Sequence, residues 1–192
     1  MTSALFDALA AALLPINTPG QARAAVILLL SKDEQPALLY TKRALHLRNH
    51  PGEVCFPGGM REQQDENLLV TALREMEEEI GLSPNLVQVL GRLPDFHTRA
   101  GTEVASFVAC TESSYPLVPS PAELDSIFWV PLALFEREIF IREDVFERDG
   151  RSYRIPVYSY LGYEIWGFTA AITARLLEVL GSPTCTKMIS TS

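Results

Sequence analysis

Residues 75–79 carry a carboxylate at four of five positions, inside the run Arg74-Glu75-Met76-Glu77-Glu78-Glu79-Ile80-Gly81-Leu82. No other feature constrains the chain as strongly. Like charges this close repel along a helix, so gathering them implies a use. At about 100° per residue, Glu75, Glu78 and Glu79 share an arc roughly 100° wide, with Glu77 on the far side. Leu69, Leu73, Met76 and Ile80 form a stripe beside that arc. One flank of the helix therefore packs into a core while another presents three carboxylates. A solvated amphipathic helix is the plain alternative. Such a helix interleaves Lys or Arg at i+4, and this arc has none. Clustered hard oxygen ligands are what Mg²⁺ or Mn²⁺ requires. Arg74 borders the arc and can hold one carboxylate by charge-assisted hydrogen bonds.

The helix is expected over residues 66–80, stopped by Gly81 and followed by Pro84. Ahead of it stands the turn Phe56-Pro57-Gly58-Gly59. Pro-Gly-Gly alone marks only a turn. Before a carboxylate face, its glycines allow close backbone approach and offer a carbonyl to a metal. Strands are expected at 24–30, 37–43, 54–56, 86–93, 103–110 and 126–130, and a hairpin over 140–160 turning at Asp149-Gly150. Residues 94–102, with Asp95, His97 and Arg99, read as a loop, and Pro131 opens a short helix. A last helix is expected at 168–180. Strands dominate with few helices, so the class is α/β (α+β) with a mixed sheet.

A chain of 192 residues suggests one domain with a small appendage. Three parts are expected: residues 1–22 as an N-terminal helix and linker packed on the domain, 23–181 as the domain itself, and 182–192 as a disordered polar tail. The apolar N-terminus lacks a basic region, carries Asp7 and ends at Pro15, which reads as an amphipathic helix rather than a signal peptide. A formal net charge of −8 argues against general nucleic-acid binding. The longest apolar run, 24–30, is far too short to cross a membrane. Three widely spaced cysteines, Cys55, Cys110 and Cys185, fit neither a disulfide framework nor a zinc site and point to a cytoplasmic setting. Cys55 reads as a small buried hydrophobe.

Gly59, Glu66, Arg74-Glu75-Met76, Glu78-Glu79 and Gly81-Leu82 resemble the Nudix box, Gly-x5-Glu-x7-Arg-Glu-U-x-Glu-Glu-x-Gly-U with U aliphatic. The second half fits throughout, while six residues instead of five separate Gly59 from Glu66. Upstream, Thr41-x2-Ala44-x3-Arg48-x3-Gly52-x3-Phe56-Pro57-Gly58-Gly59 resembles the signature of the coenzyme A diphosphatase branch, in which the same lengthening of the box occurs. Trp166-Gly167-Phe168-Thr169-Ala170 is also similar to that branch.

The resemblance implies a Nudix fold, a mixed β-sheet sandwiched between helices with a loop-helix-loop catalytic motif. It implies hydrolysis of a nucleoside diphosphate linked to another group. By carry-over, Glu75, Glu78 and Glu79 bind Mg²⁺ or Mn²⁺ with the Gly59 carbonyl, Arg74 belongs to the catalytic set, and Glu66 and Gly81 support the box. A further glutamate from outside the box is expected at Glu123, ahead of Trp129-Val130-Pro131, with Glu103 as the alternative. For coenzyme A the products are 3′,5′-ADP and 4′-phosphopantetheine. Its 3′-phosphate needs cations, for which Arg48 and Arg43 are the candidates, with His46 and His50 beside them and Gly58 at the substrate. His97 and Arg99 read as ordinary loop residues. Tyr153, Tyr158 and Trp166 read as packing residues rather than a base-stacking platform. The partner expected is a small coenzyme A-like nucleotide, with no nucleic acid, no membrane, and a homodimer left open. The rivals are another Nudix substrate, such as ADP-ribose, a dinucleotide or a nucleoside triphosphate, and a non-catalytic nucleotide-sensing Nudix module.

Overall fold

The computed structural model describes residues 2–98, 100–136, 138–148 and 151–181. Helix α1 (Thr2–Ala12) leads into strand β1 (Ala24–Ser31), and a polar turn returns the chain as β2 (Ala37–Arg43). Two short strands follow, β3 (Val54–Cys55) and β4 (Gly58–Met60), then helix α2 (Leu68–Ile80). Strands β5 (Gln88–His97), β6 (Glu103–Thr111) and β7 (Leu124–Pro131) lead to a 3₁₀ turn at Leu132–Glu136. The chain ends with β8 (Phe140–Arg148), β9 (Arg151–Tyr160), β10 (Tyr163–Ile165) and helix α3 (Gly167–Val179).

Among the described residues the main sheet has seven strands, on the path β3-β2-β1-β6-β5, with β4 added at β1 and β7 at β2. Strands β1 and β6 run parallel and the other pairs antiparallel, so the sheet is mixed. Strands β10-β9-β8 form a second, three-stranded sheet.

Strand alternation explains the layering. On β1, Leu28 and Leu30 join one core with Phe6 and Leu9 of α1 and Ile172 and Leu176 of α3. The intervening Ala25, Ile27 and Leu29 join a second core with Ala72, Met76 and Ile80 of α2. Successive side chains point to opposite faces, so a single apolar run supplies both cores. Each fully buried Leu contributes about 2 kcal/mol, enough to hold the helices against both faces. Helix α2 is capped at both ends. Asn67 Oδ1 accepts from Leu69 and Val70 N–H, at 3.0 and 3.1 Å, and Gly81 (φ 69°) donates its N–H to the Glu77 carbonyl.

Several elements differ from the sequence expectation. The helix begins at Leu68 rather than residue 66, because Asn67 is the cap. Residues 58–60 are not only a turn: they pair as a strand with residues 24–26 of β1. Strand β5 runs on to His97 across a register shift between Leu93 and Phe96, which accommodates Pro94 where a loop was expected. Strand β10 had no signal of its own, being three residues long and held by pairing to β9. Arg99, Cys185, the Asp149-Gly150 turn and the tail 182–192 lie outside the described residues. Among the described residues no helix is long and apolar enough to cross a membrane.

Candidate active site

The carboxylate arc of α2 faces β4, the short Gly-Gly strand. A Cβ on Gly59 would stand 2.3 Å from Glu75 Oε1, so only glycine leaves room for that carboxylate. Gly58 has φ +155°, and a Cβ there would meet the Ala25 carbonyl at 2.2 Å. Its conformation and its packing on β1 both require glycine. Gly58, expected at the substrate, gives its backbone N–H to the Glu79 carboxylate.

The three carboxylates of the arc have unequal surroundings. Glu79 is 2% exposed, the Glu75 side chain 17% and the Glu78 side chain 56%. Burial first, then the charges of Glu75 and Glu123, pushes the Glu79 carboxyl up to about 8. Burial also raises Glu75, against the lowering effect of Arg74. Glu79 Oε2 is buried without a hydrogen-bond partner. Desolvation keeps this carboxyl protonated, and a bound cation would compensate the ionised form.

Arg74 organises the arc. It grips Asp65 at both oxygens, with Nε–Oδ1 3.1 Å and Nη2–Oδ2 3.2 Å, and also donates to Glu75 Oε1 at 3.0 Å and Glu78 Oε2 at 2.8 Å. This even fork-to-carboxylate grip fixes the guanidinium plane. Asp65 also accepts from the Glu62 N–H and the Thr71 hydroxyl, both at 2.9 Å. With the Arg74 guanidinium as the largest influence, its carboxyl is held down to about 2. Glu66 was expected to support the box, by orienting its loop or by supporting the Arg74 pair. In the structure the Glu66 side chain is exposed, and Asp65 takes that position. The signal was present: with five residues between it and Gly59, Asp65 is an acid in the unlengthened spacing of the box. The extra residue is absorbed between Asp65 and Arg74 instead.

Glu123 reaches the site through the loop after β6. Ile80 and Glu79 carbonyls at the end of α2 accept from the N–H groups of Val118 and Ser120, at 2.9 and 2.8 Å. The loop is thereby docked on the helix, and the Glu123 charge raises both Glu75 and Glu79. Glu103, the alternative, pairs instead with His97 at 2.9 Å on the rim of β6. The 122–123 backbone also grips the upstream segment: Ala44 N–H donates to the Glu123 carbonyl at 2.9 Å, and His46 Nε2 lies 3.1 Å from the Ala122 carbonyl.

Arg43 stands half-buried where these parts meet, and its charge favours the ionised form of Glu79. Its Nε is buried and has no hydrogen-bond partner. Arg48 is exposed on the 44–53 loop, and His50 pairs with Glu53 at 2.9 Å. Cys55 touches the Thr41 hydroxyl, and burial pushes its thiol up to about 11, which makes it inert at neutral pH. Tyr158 is buried in the core, Tyr153 stacks on Phe146, and Trp166 is 44% exposed at the start of α3.

The arrangement fits a divalent cation by its donor set: three carboxylates on or beside one helix face, an orphaned buried carboxylate oxygen, and a glycine strand packed close against Glu75. Among the described residues no three carboxylate, imidazole or thiol groups converge into a ready-made cage. Arg74 draws Glu75 and Glu78 toward itself, and unshielded carboxylates repel.

Residues 20–149 match the NUDIX domain family. The uncharacterized Nudix hydrolase NudL of Salmonella paratyphi B is 37% identical over 166 residues, covering 86% of this chain and 86% of its own length. Among solved structures, the Ap4A hydrolase of C. elegans superposes with a TM-score of 0.50 at 18% identity, over 59% of this chain and 84% of that one. That likeness is one of fold. With the box folded as a glycine strand against a carboxylate helix, and with a family match across most of its length, the chain belongs to the Nudix hydrolases.

Proposed function

We propose that the chain cleaves the diphosphate bond of coenzyme A or one of its derivatives, releasing 3′,5′-ADP and 4′-phosphopantetheine. Nudix hydrolases use divalent metal ions; here Glu75, Glu78, Glu79 and the Gly59 carbonyl would hold Mg²⁺ or Mn²⁺, with Glu123 beside them. The observation that carries the substrate reading is the junction between two segments. The Thr41-to-Gly59 segment resembles the coenzyme A diphosphatase signature, and its Arg43 and Ala44 abut Glu79 and Glu123.

Held there, a divalent cation would supply charge neutralisation at the diphosphate oxygens and a more acidic water. The chain's own residues supply the rest, mostly positioning and electrostatics. Arg74 fixes Glu75 and Glu78, and Gly58 N–H fixes Glu79. The proton of the attacking water goes to one of the nearby carboxylates, Glu75, Glu78, Glu79 or Glu123. Arg43, with its unpartnered Nε, offers a donor to a phosphate oxygen, and Arg48 offers charge to the 3′-phosphate from the loop rim. The free thiols of Cys55 and Cys110 support a reducing, cytoplasmic setting. The reading requires one chain only; a homodimer stays outside it.

The test is a substrate panel with Mn²⁺ and with Mg²⁺: coenzyme A, ADP-ribose, a dinucleoside polyphosphate and a nucleoside triphosphate, with products identified by mass spectrometry. Appearance of 3′,5′-ADP and 4′-phosphopantetheine at the highest kcat/KM is expected. Turnover of ADP-ribose with coenzyme A untouched would overturn the substrate assignment and leave the hydrolase.

A further inference from the structure

Ala122 and Glu123 stand where the loop after β6 enters β7, and the backbone there is held from two sides. On one side the loop hangs from the end of α2. Ser120 N–H donates to the Glu79 carbonyl at 2.8 Å, and the Ser120 carbonyl accepts from Glu123 and Leu124 N–H at 3.0 and 2.8 Å. On the other side stands the 44–46 segment. Ala44, 2% exposed, donates its N–H to the Glu123 carbonyl at 2.9 Å. His46 Nε2 lies 3.1 Å from the Ala122 carbonyl. A carbonyl only accepts, so this ring nitrogen carries the hydrogen. The His46 bond is thus the side-chain member of a clamp whose other bonds are backbone to backbone.

Regular strand pairing does not extend to Glu123. Strands β2 and β7 stay in register from Ala37 and Pro131 to Lys42 and Ser126, and the register shifts between Lys42 and Arg43. Glu123 lies just past that irregularity, where the direction of a side chain depends on the local backbone bonds. Its charge bears on both Glu75 and Glu79, so a small displacement alters the field at the carboxylate face. His46 itself is exposed. An exposed hydrogen bond adds little to folding stability, so its consequence is geometric.

We infer that His46 is a positioning residue for the hydrolysis: through the Ala122 carbonyl it fixes Glu123 against Glu75 and Glu79, and so ties the 44–53 loop to the carboxylate face. The inference rests on the proposed place of Glu123 in the hydrolytic site and not on which diphosphate is cleaved. His46 makes no bond to substrate in this role. A histidine that met the 3′-phosphate instead would act on KM, and only for substrates carrying that group.

The experiment measures kcat and KM with Mn²⁺ on coenzyme A, 3′-dephospho-coenzyme A and ADP-ribose. It uses the full chain, His46→Ala, His46→Gln, Glu123→Gln and the double variant of His46→Ala with Glu123→Gln. His46→Ala should lower kcat about tenfold on every substrate that is turned over, with KM and Tm little changed. His46→Gln places an amide N–H near the same carbonyl and should restore most of the rate. In the Glu123→Gln background His46→Ala should cost nothing further, because the two residues act as one unit. Additive losses, an unchanged kcat in either single variant, or a rise in KM confined to coenzyme A would overturn the assignment. Hydrogen exchange of the 122–124 amides in the metal-free chain gives a readout that needs no turnover. Faster exchange in His46→Ala, reversed in His46→Gln, is expected, and equal exchange in all three proteins would overturn the clamp. If ADP-ribose is cleaved and coenzyme A is not, the substrate assignment falls while every one of these outcomes can still be read.

Discussion

The back half of α2 and the 44–53 loop both border the same site, yet they are built on opposite terms. On α2, Glu75 and Glu79 are pinned by a glycine strand, a four-way arginine and a docked loop, and little of them reaches water. On the loop, Arg48 and His50 are exposed, Leu45 is 70% exposed, and His50 and Gly52 turn the backbone through positive φ of 54° and 73°. Under the proposed function, the buried half would carry the reaction class, because electrostatics act strongly only where geometry is fixed and water is thinned. The exposed half would carry substrate choice, where weaker screened contacts suffice. Arg43 and Ala44 are the join, attached to both.

The contrast can be broken in five places. The largest effect is expected from Glu79→Gln: hydrolysis should fall roughly 10²–10³-fold while the chain stays folded, because a neutral isostere removes the ligand and not the packing. Unchanged turnover in a folded variant would refute the assignment of the carboxylate face. Next, Arg74→Ala should lose about 3 kcal/mol in denaturant titration, since Asp65 would be left buried without its cation. A loss near zero would mean the network contributes only orientation. Third come the two glycines, adjacent in sequence and opposite in role. Gly58→Ala collides with the β1 backbone and should destabilise by about 2 kcal/mol. Gly59→Ala meets only the Glu75 carboxylate, so stability should hold while activity drops on the order of tenfold.

The fourth is a pH dependence. Glu79 holds its proton up to about pH 8 when folded, against an ordinary value of 4.5. Between those values the folded state binds the extra proton, so the stability of the metal-free protein is greatest at the acid end. It falls as pH rises toward 8, by up to ~1.4 kcal/mol per pH unit. Glu79→Gln should flatten that slope in denaturation series at pH 5, 6.5 and 8, and added Mn²⁺ should reverse it for the unsubstituted chain. The smallest effect belongs to the loop: Arg48→Ala should raise KM for coenzyme A about threefold to fivefold, leaving kcat and stability alone, as suits an exposed charge contact. A collapse of kcat there would erase the division between the two regions.

Much of this was legible in one dimension. The strands over 24–31, 37–43 and 103–111 follow from apolar runs of strand length, and the carboxylate arc follows from helical period alone. Strand β4 was not legible, because three residues of Gly-Gly-Met have no periodicity and pair only once β1 is in place. Strand β5 was cut short at Pro94 because the bulge that tolerates it is a property of pairing with β6. Asp65 was passed over for Glu66, since spacing in a loop does not say which of two adjacent acids turns inward.

The sequence by itself determined the helix, its acidic arc and the family, because helical period, charge and spacing are local properties of the chain. Only the tertiary structure decided that the three glutamates differ. Burial beneath β4 raises Glu79, Arg74 draws on Glu78 near the surface, and the 118–124 loop carries Glu123 to them from beyond β6. Desolvation and mutual charge depend on distances through space, which the order of residues does not contain.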